Sequence, residues 1–177
     1  MTHACLEDPM KPVNWFIRLE DINDNTEVEA LQETAFGPGR FARTAFRIRE
    51  GVPHRADLSF VGLSGSMVAG SVRLTDILIG ETPALLLGPL TVAPEFKNRG
   101  LGKALMWTAL EAAKKAGDKV VLLVGDAAYY ENFGFQRVPF GAIELPGPVD
   151  PARVLVAMLD GGDQPTGMVG KPYGEAF

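Results

Sequence analysis

Leu90-Thr91-Val92-Ala93-Pro94-Glu95-Phe96-Lys97-Asn98-Arg99-Gly100-Leu101-Gly102-Lys103 is the stretch on which the reading of this chain turns. Its apolar residues end at Val92, Pro94 has no N–H to continue a ladder, and a helical pattern opens near Gly100. A strand therefore feeds a helix through a turn that holds Lys97, Asn98, Arg99, Gly100, Leu101, Gly102 and Lys103. A helix N-terminus presents unpaired N–H groups and about half a positive charge, which makes such a turn a natural phosphate seat. Gly100 and Gly102 let the backbone approach an anion closely because no Cβ intervenes. Lys97, Arg99 and Lys103 add charge. The plain alternative is a tight connection with solvated cations beside it. Two other phosphate loops are excluded. A P-loop needs Ser or Thr after its lysine, and Ala104 follows Lys103; a dinucleotide fingerprint needs a third glycine where Leu105 stands.

Working outward, Trp15–Leu19 alternates as a first strand. Asn25–Phe36 is helical, with Val28, Leu31 and Phe36 at roughly helical spacing, and Gly37-Pro38-Gly39 stops it. Arg40–Arg49 is expected to form a second, basic helix. Leu58–Val61 and Met67–Leu74 are expected to pair as a hairpin through the turn Gly62–Ser66. In Ala84–Val92 the run Leu85-Leu86-Leu87 is apolar on both faces, so this strand belongs in the middle of a covered sheet. Leu101–Ala116 is the clearest helix, with Lys114 and Lys115 at its negative end and Gly117 as terminator. Lys119–Val124 is a strand, Asp126–Phe133 a short helix capped by Asp126, and Phe135–Val138 and Val154–Leu159 are the last strands. The pattern predicts an α/β (α+β) domain with a mixed central sheet flanked by helices. Its expected division is a loose leader over 1–13, one domain over 14–160, and a tail over 161–177 that packs on the surface.

The 177 residues are 46% hydrophobic and 22% charged, which suits one core. A net charge of −5 offers no basic field for nucleic acid or an anionic membrane, so any phosphate site must be local. Cys5 is alone, and His3 and His54 share no metal-ligand spacing, so neither a disulfide framework nor a metal site is expected. No run approaches the ~20 apolar residues of a membrane span. The first residues contain no apolar signal core, and the cytoplasm is the expected location. A homodimer is compatible with all of this.

Leu90–Gly102 resembles the acetyl-CoA signature of the GCN5-related N-acetyltransferase (GNAT) superfamily, Gln/Arg-x-x-Gly-x-Gly/Ala after a Leu-x-Val-x-Pro strand. Lys97 stands where the family usually has glutamine or arginine, which keeps the charge but not the planar hydrogen bonding. The resemblance implies that the amides of this turn grip the CoA pyrophosphate. It also implies a sheet splayed beside Ala84–Val92, with the pantetheine arm in the gap and the amides of Leu90 and Val92 turned toward it; Gly88 and Pro89 suit a bulge there. The cofactor-binding residues so implied are Leu90, Thr91, Val92, Lys97, Asn98, Arg99, Gly100, Leu101, Gly102, Lys103, Tyr130 and Phe133. A second segment, Val124-Gly125-Asp126-Ala127-Ala128-Tyr129-Tyr130-Glu131-Asn132-Phe133-Gly134-Phe135, resembles the family's Tyr-x-x-x-Gly-Phe hallmark and its bacterial YhbS-like branch. By that resemblance Tyr130 is the catalytic acid that protonates the departing thiolate, a task suited to a weak acid. Tyr129, about 100° round the helix, is the lesser candidate.

The expected activity is transfer of an acetyl group from acetyl-CoA, as cosubstrate and without metal, to a primary amine. A non-catalytic acyl-CoA-binding or sensing module, and an acyltransferase with another acyl group or acceptor, are the alternatives. Ala84–Val92 holds no carboxylate, so the general base is unassigned among Glu29, Asp76, Glu81 and water. Arg40, Arg43, Arg47 and Arg49 are compatible with an acidic acceptor or with a solvated face.

Overall fold

Residues 14–173 are described by the computed structural model, so the leader expected over 1–13 lies outside the described residues. The strands are β1 (Phe16–Leu19), β2 (Phe60–Ser64), β3 (Met67–Ile79), β4 (Thr82–Val92), β5 (Val120–Val124), β6 (Gln136–Arg137), β7 (Ile143–Glu144), β8 (Val154–Met158) and β9 (Gly167–Gly170). The helices are α1 (Asn25–Phe36), α2 (Thr44–Arg49), α3 (Leu101–Ala116) and α4 (Ala127–Tyr130). Along the sheet the order is β1-β2-β3-β4-β5-β8-β6. Neighbours on this path are antiparallel except β4 and β5, which are parallel because α3 carries the chain back between them.

β4 is covered on both sides, as its triple leucine predicts. Leu85 and Leu87 pack with Leu101, Leu105, Met106 and Leu110 of α3, while Ala84 and Leu86 pack with Ile48 of α2 and Ile77 of β3. Successive strand side chains face opposite ways, so one apolar run serves two cores. Each of the large residues fully buried on α3 contributes about 1.5–3 kcal/mol relative to exposure, and together they anchor the helix whose N-terminus faces the turn.

Three expectations change. The single basic helix over Arg40–Arg49 is two pieces, a 3-10 turn at Pro38–Ala42 and then α2. Arg43 between them is extended (φ −70°, ψ 139°), Arg40 is buried against Glu29, and the Thr44 hydroxyl donates to the Pro148 carbonyl over 2.6 Å. These tertiary ties outweigh continuous helix propensity. The hairpin turn is tighter than expected, at Gly65-Ser66, and β3 runs on to Ile79 to form a second hairpin with β4. Within 161–177, Gly167–Gly170 is not surface wrapping alone. It pairs with Leu78–Ile79 of β3 and parallel to β7, and Val169 is buried in the second core.

Candidate active site

The sheet opens where the sequence places Gly88 and Pro89. β4 pairs with β5 only at Leu85↔Val121 and Leu86↔Leu122, although β4 continues to Val92 and β5 to Val124. On the other side the β3 register shifts between Val72 and Leu74, so Arg73 opposes Gly88 and Pro89 as a bulge. Gly88 lies at φ +121°, in the region that favours glycine, and its peptide bond to Pro89 is cis. Further along, the Ala93 N–H donates to the Ala69 carbonyl of β3 over 2.8 Å. Backbone direction alternates along a strand, so the N–H groups of Leu90 and Val92 turn the other way, into the gap that β5 leaves. A cavity of about 590 Å³ fills this gap, walled by Leu87–Leu90 of β4 and by Leu123–Asp126 at the end of β5 and just after it.

At the far end of β4 the turn behaves as a helix start. The first intrahelical bond of α3 runs from the Ala104 N–H to the Gly100 carbonyl, 3.1 Å, and no side chain caps the helix. The amides of Leu101, Gly102 and Lys103 therefore precede the helical ladder. They adjoin a second cavity of about 400 Å³, lined by Val92, Phe96, Lys97, Asn98, Gly100–Lys103 and Tyr129. Lys97 and Lys103 are exposed, so their charge acts through solvent.

The two tyrosines divide the space between these cavities. Their rings meet edge to face at 4.8 Å. Tyr130 lies against Gly125, where a Cβ would stand 2.9 Å from its Cδ2, and edge-on to Phe135. Burial, then the neighbouring Tyr129, pushes its hydroxyl up to about 12. Tyr129 lines both cavities, and its hydroxyl would be 3.1 Å from a Cβ on Gly102. Burial raises its hydroxyl as well. Asp126 caps α4 by accepting from the Ala128 N–H over 3.1 Å.

Across Pro89 lies a third, charged cavity of about 500 Å³, with Glu29, Gln32, Arg49, Glu50, His54 and Arg73 on its wall. Arg73 is held by Glu20 at 2.6 Å, by Glu29 at 3.1 Å and by Asn25 at 3.0 Å. His54 Nε2 is 3.8 Å from Glu20 Oε1. Burial lowers the imidazole below its ordinary value, against the pull of Glu20, so it is neutral at neutral pH. Arg49 has no carboxylate within ion-pair distance among the described residues, and its Nε and Nη1 are buried without acceptors.

Leu90, Val92, Lys97, Asn98, Gly100, Leu101, Gly102, Lys103 and Tyr130 thus stand on the walls of these two spaces, which share Tyr129. Thr91, Arg99 and Phe133 do not. The Thr91 hydroxyl bonds Ser71 at 3.0 Å in the sheet, the Arg99 carbonyl accepts from Trp15 Nε1 at 3.0 Å, and Phe133 is buried between Trp107 and Tyr129. Sequence reasoning missed His54 and the reach of Tyr129 to Gly102. No local motif signals either one, since both depend on which strand or turn packs beside them. Of the bases weighed, Glu29 lines the charged cavity but is tied to Arg40 and Arg73, Asp76 pairs with Arg55, and Glu81 sits at the exposed β3–β4 turn. Among the described residues no cluster of three or more His, Cys, Asp or Glu is placed to hold a metal, and no helix is long and apolar enough to cross a membrane.

The family model described as "Acetyltransferase (GNAT) family" matches residues 25–135, from the start of α1 through Phe135. The N-acetyltransferase YjhQ of Escherichia coli K12, itself uncharacterized, is 28% identical over 122 residues, 67% of each chain. Among solved structures, the GNAT family N-acetyltransferase YhbS of Escherichia coli, in complex with CoA, shares the fold with a TM-score of 0.72 over 88% of both chains at 24% identity. A GNAT family acetyltransferase of Brucella melitensis, in complex with acetyl-CoA, superposes with a TM-score of 0.67 at 26% identity, covering 89% of this chain and 95% of its own. With a family match across most of its length and a sheet that parts beside a glycine-rich helix start, this chain belongs to the acetyltransferase (GNAT) family.

Proposed function

We propose that the protein transfers an acetyl group from acetyl-CoA to a primary amine, with the coenzyme lying along β4 from the turn Lys97–Lys103 to the cleft at Gly88. The observation that carries this reading is the alignment of two donor sets on one path. The amides of Leu101–Lys103 face one cavity, those of Leu90 and Val92 turn into the next, and Tyr129 borders both. Pyrophosphate suits the helix start, and a pantetheine arm suits the edge of β4 that β5 leaves without a strand. The thioester carbonyl then reaches the widened bulge, where a β4 amide polarises it.

In the reaction the amine nitrogen bonds to the carbonyl carbon, the carbon–sulfur bond breaks, and the sulfur takes the proton that Tyr130 donates. The amine gives up its own proton to a base. On the charged cavity His54 is suited to accept it, being neutral and turned toward Glu20, which stabilises the imidazolium once formed. A base must be unprotonated, and this imidazole lies below its ordinary value. The acid limb of the rate is therefore expected below the ordinary imidazole range, with activity lost as pH drops through the lowered value. His54→Gln should lower kcat and remove that acid limb; a kcat–pH profile identical to the parent's rejects His54.

The cofactor assignment has a direct test. CoA at 100 times its dissociation constant stabilises a folded protein by about 2.7 kcal/mol, which for a domain of this size is a rise in Tm of roughly 5–10 °C. Thermal melts with and without CoA check it, and no shift with either CoA or acetyl-CoA overturns the reading. Release of free thiol in the presence of an amine separates a transferase from a module that only binds.

A further inference from the structure

Four arginines lie between Arg40 and Arg49, and the fold sorts them. Arg40 is buried in an ion pair with Glu29, while Arg43 and Arg47 are exposed. Arg49 alone is brought to the wall common to the acyl cleft and the charged cavity, a wall it shares with Phe46 and Pro89. Its guanidinium lies over the Phe46 ring, 5.3 Å from the centroid, and its Nη2 is 2.8 Å from where a Cβ on Gly88 would stand. Glycine at 88 is thus what lets this cation reach the bulge. The other two nitrogens are sealed in protein without an acceptor, and buried donors without partners cost about 1–3 kcal/mol each, more when charged. A cation held this way is an unmatched charge beside the point where the acyl group and its acceptor meet. Burial and the nearby Arg73 lower its proton affinity to about 9, which leaves it charged at neutral pH.

We propose, on the basis of the acetyl-transfer reading above, that Arg49 binds a carboxylate of the acceptor, so that the amine acetylated is a small one carrying a carboxylate. Glu29, Glu50 and Arg73 line the same cavity, and Asp126, Asp150, Arg43 and Arg153 line the acyl cleft. Apart from Arg49 these walls carry four acids against three arginines, so a singly charged anion suits its guanidinium, whereas a phosphate dianion meets a surround with no spare positive charge. The carboxylate takes a charge-assisted hydrogen bond from Nη2, the one guanidinium nitrogen not sealed in protein, and the amine projects from it toward the thioester.

The test compares amines that differ only in this group, an amino acid against its carboxamide and against its phosphonate analogue, by thiol release from acetyl-CoA. The wild type is expected to prefer the carboxylate in kcat/KM by roughly 10–100-fold, the value of one charged hydrogen bond. Arg49→Gln should raise KM for the carboxylate amine by that factor, keep its kcat, and leave the carboxamide within about threefold. Arg49→Lys should recover part of the preference. Equal use of carboxylate and carboxamide by the wild type overturns the assignment without any variant, as does preference for the phosphonate. A fall in kcat for every amine in Arg49→Gln also overturns it, placing Arg49 at the acyl group instead. If CoA shifts the melting temperature yet no carboxylate amine is preferred, this inference fails and the coenzyme reading stands; absence of any CoA shift is the separate failure of that reading.

Discussion

Tyr130→Phe is expected to slow the chemical step by roughly 10²–10⁴, the usual value of one acid–base group. The variant keeps the ring that lies on Gly125 and against Phe135, so the short helix and its packing survive and only the hydroxyl is lost. Acetyl-CoA affinity should change little, because the hydroxyl matters most as negative charge develops on sulfur. With its hydroxyl pushed up to about 12, Tyr130 is protonated throughout the neutral range. An acid must be protonated to act, so its ionisation removes activity only as pH rises toward that value, above the ordinary tyrosine range. Tyr129→Phe is the control. Its hydroxyl lies by Gly102 rather than in the angle between Gly125 and Phe135, so kcat should be kept while coenzyme affinity falls by about 0.5–1.5 kcal/mol, one hydrogen bond. Single-turnover rates decide between the two. Parent-like chemistry in Tyr130→Phe returns that residue to a packing role and leaves the binding site intact.

Gly102→Asp should abolish the rise in Tm produced by CoA. The substitution places a carboxylate beside the amides of the α3 N-terminus, where the pyrophosphate would sit. At 4 Å two like charges near a protein surface repel by roughly 4 kcal/mol, enough to lower affinity by about a thousandfold. The folded state itself should not suffer, because an acidic residue in the first turn of a helix is favourable and glycine is the poorer helix former. Circular dichroism and the melting temperature without ligand check this. Gly102→Ala separates charge from bulk. Its Cβ meets the Tyr129 hydroxyl at 3.1 Å, the movable end of a side chain, and Val92 Cγ2 at an ordinary 3.8 Å, so most of the CoA shift should remain. Equal shifts in Gly102→Asp and the parent would remove the phosphate seat from the turn.

Much of this site was legible because its signals are local. Pro94, Gly100 and the periodic face of Leu101–Ala116 mark strand, turn and helix within a few residues, and α3 has the expected bounds. Asp126 caps α4 as expected, and Leu85-Leu86-Leu87 does serve two cores. The two pieces of Pro38–Arg49 were not legible as such, because the break depends on Thr44 reaching Pro148 more than a hundred residues away. β9 escaped for a similar reason. A Gly- and Pro-rich stretch has little intrinsic strand preference and becomes a strand only where Leu78–Ile79 offers an unpaired edge.

By itself, then, the sequence determined the order of elements from β1 to β6, the glycine turn at the start of α3 and the tyrosine pair after β5, since each is written in propensity and spacing over one or two helical turns. The splay beside β4 was implied by the resemblance, but only the tertiary structure set its place, after Leu86, and only it decided that Tyr129 reaches Gly102. It also decided that, of the arginines between Arg40 and Arg49, the one at position 49 stands half-buried beside the bulge, its Nε and Nη1 sealed in protein, with no acid to match it. Cationic side chains are long and similar in sequence; what distinguishes them is desolvation and the partners within about 4 Å, and those are supplied by segments folded in from elsewhere in the chain.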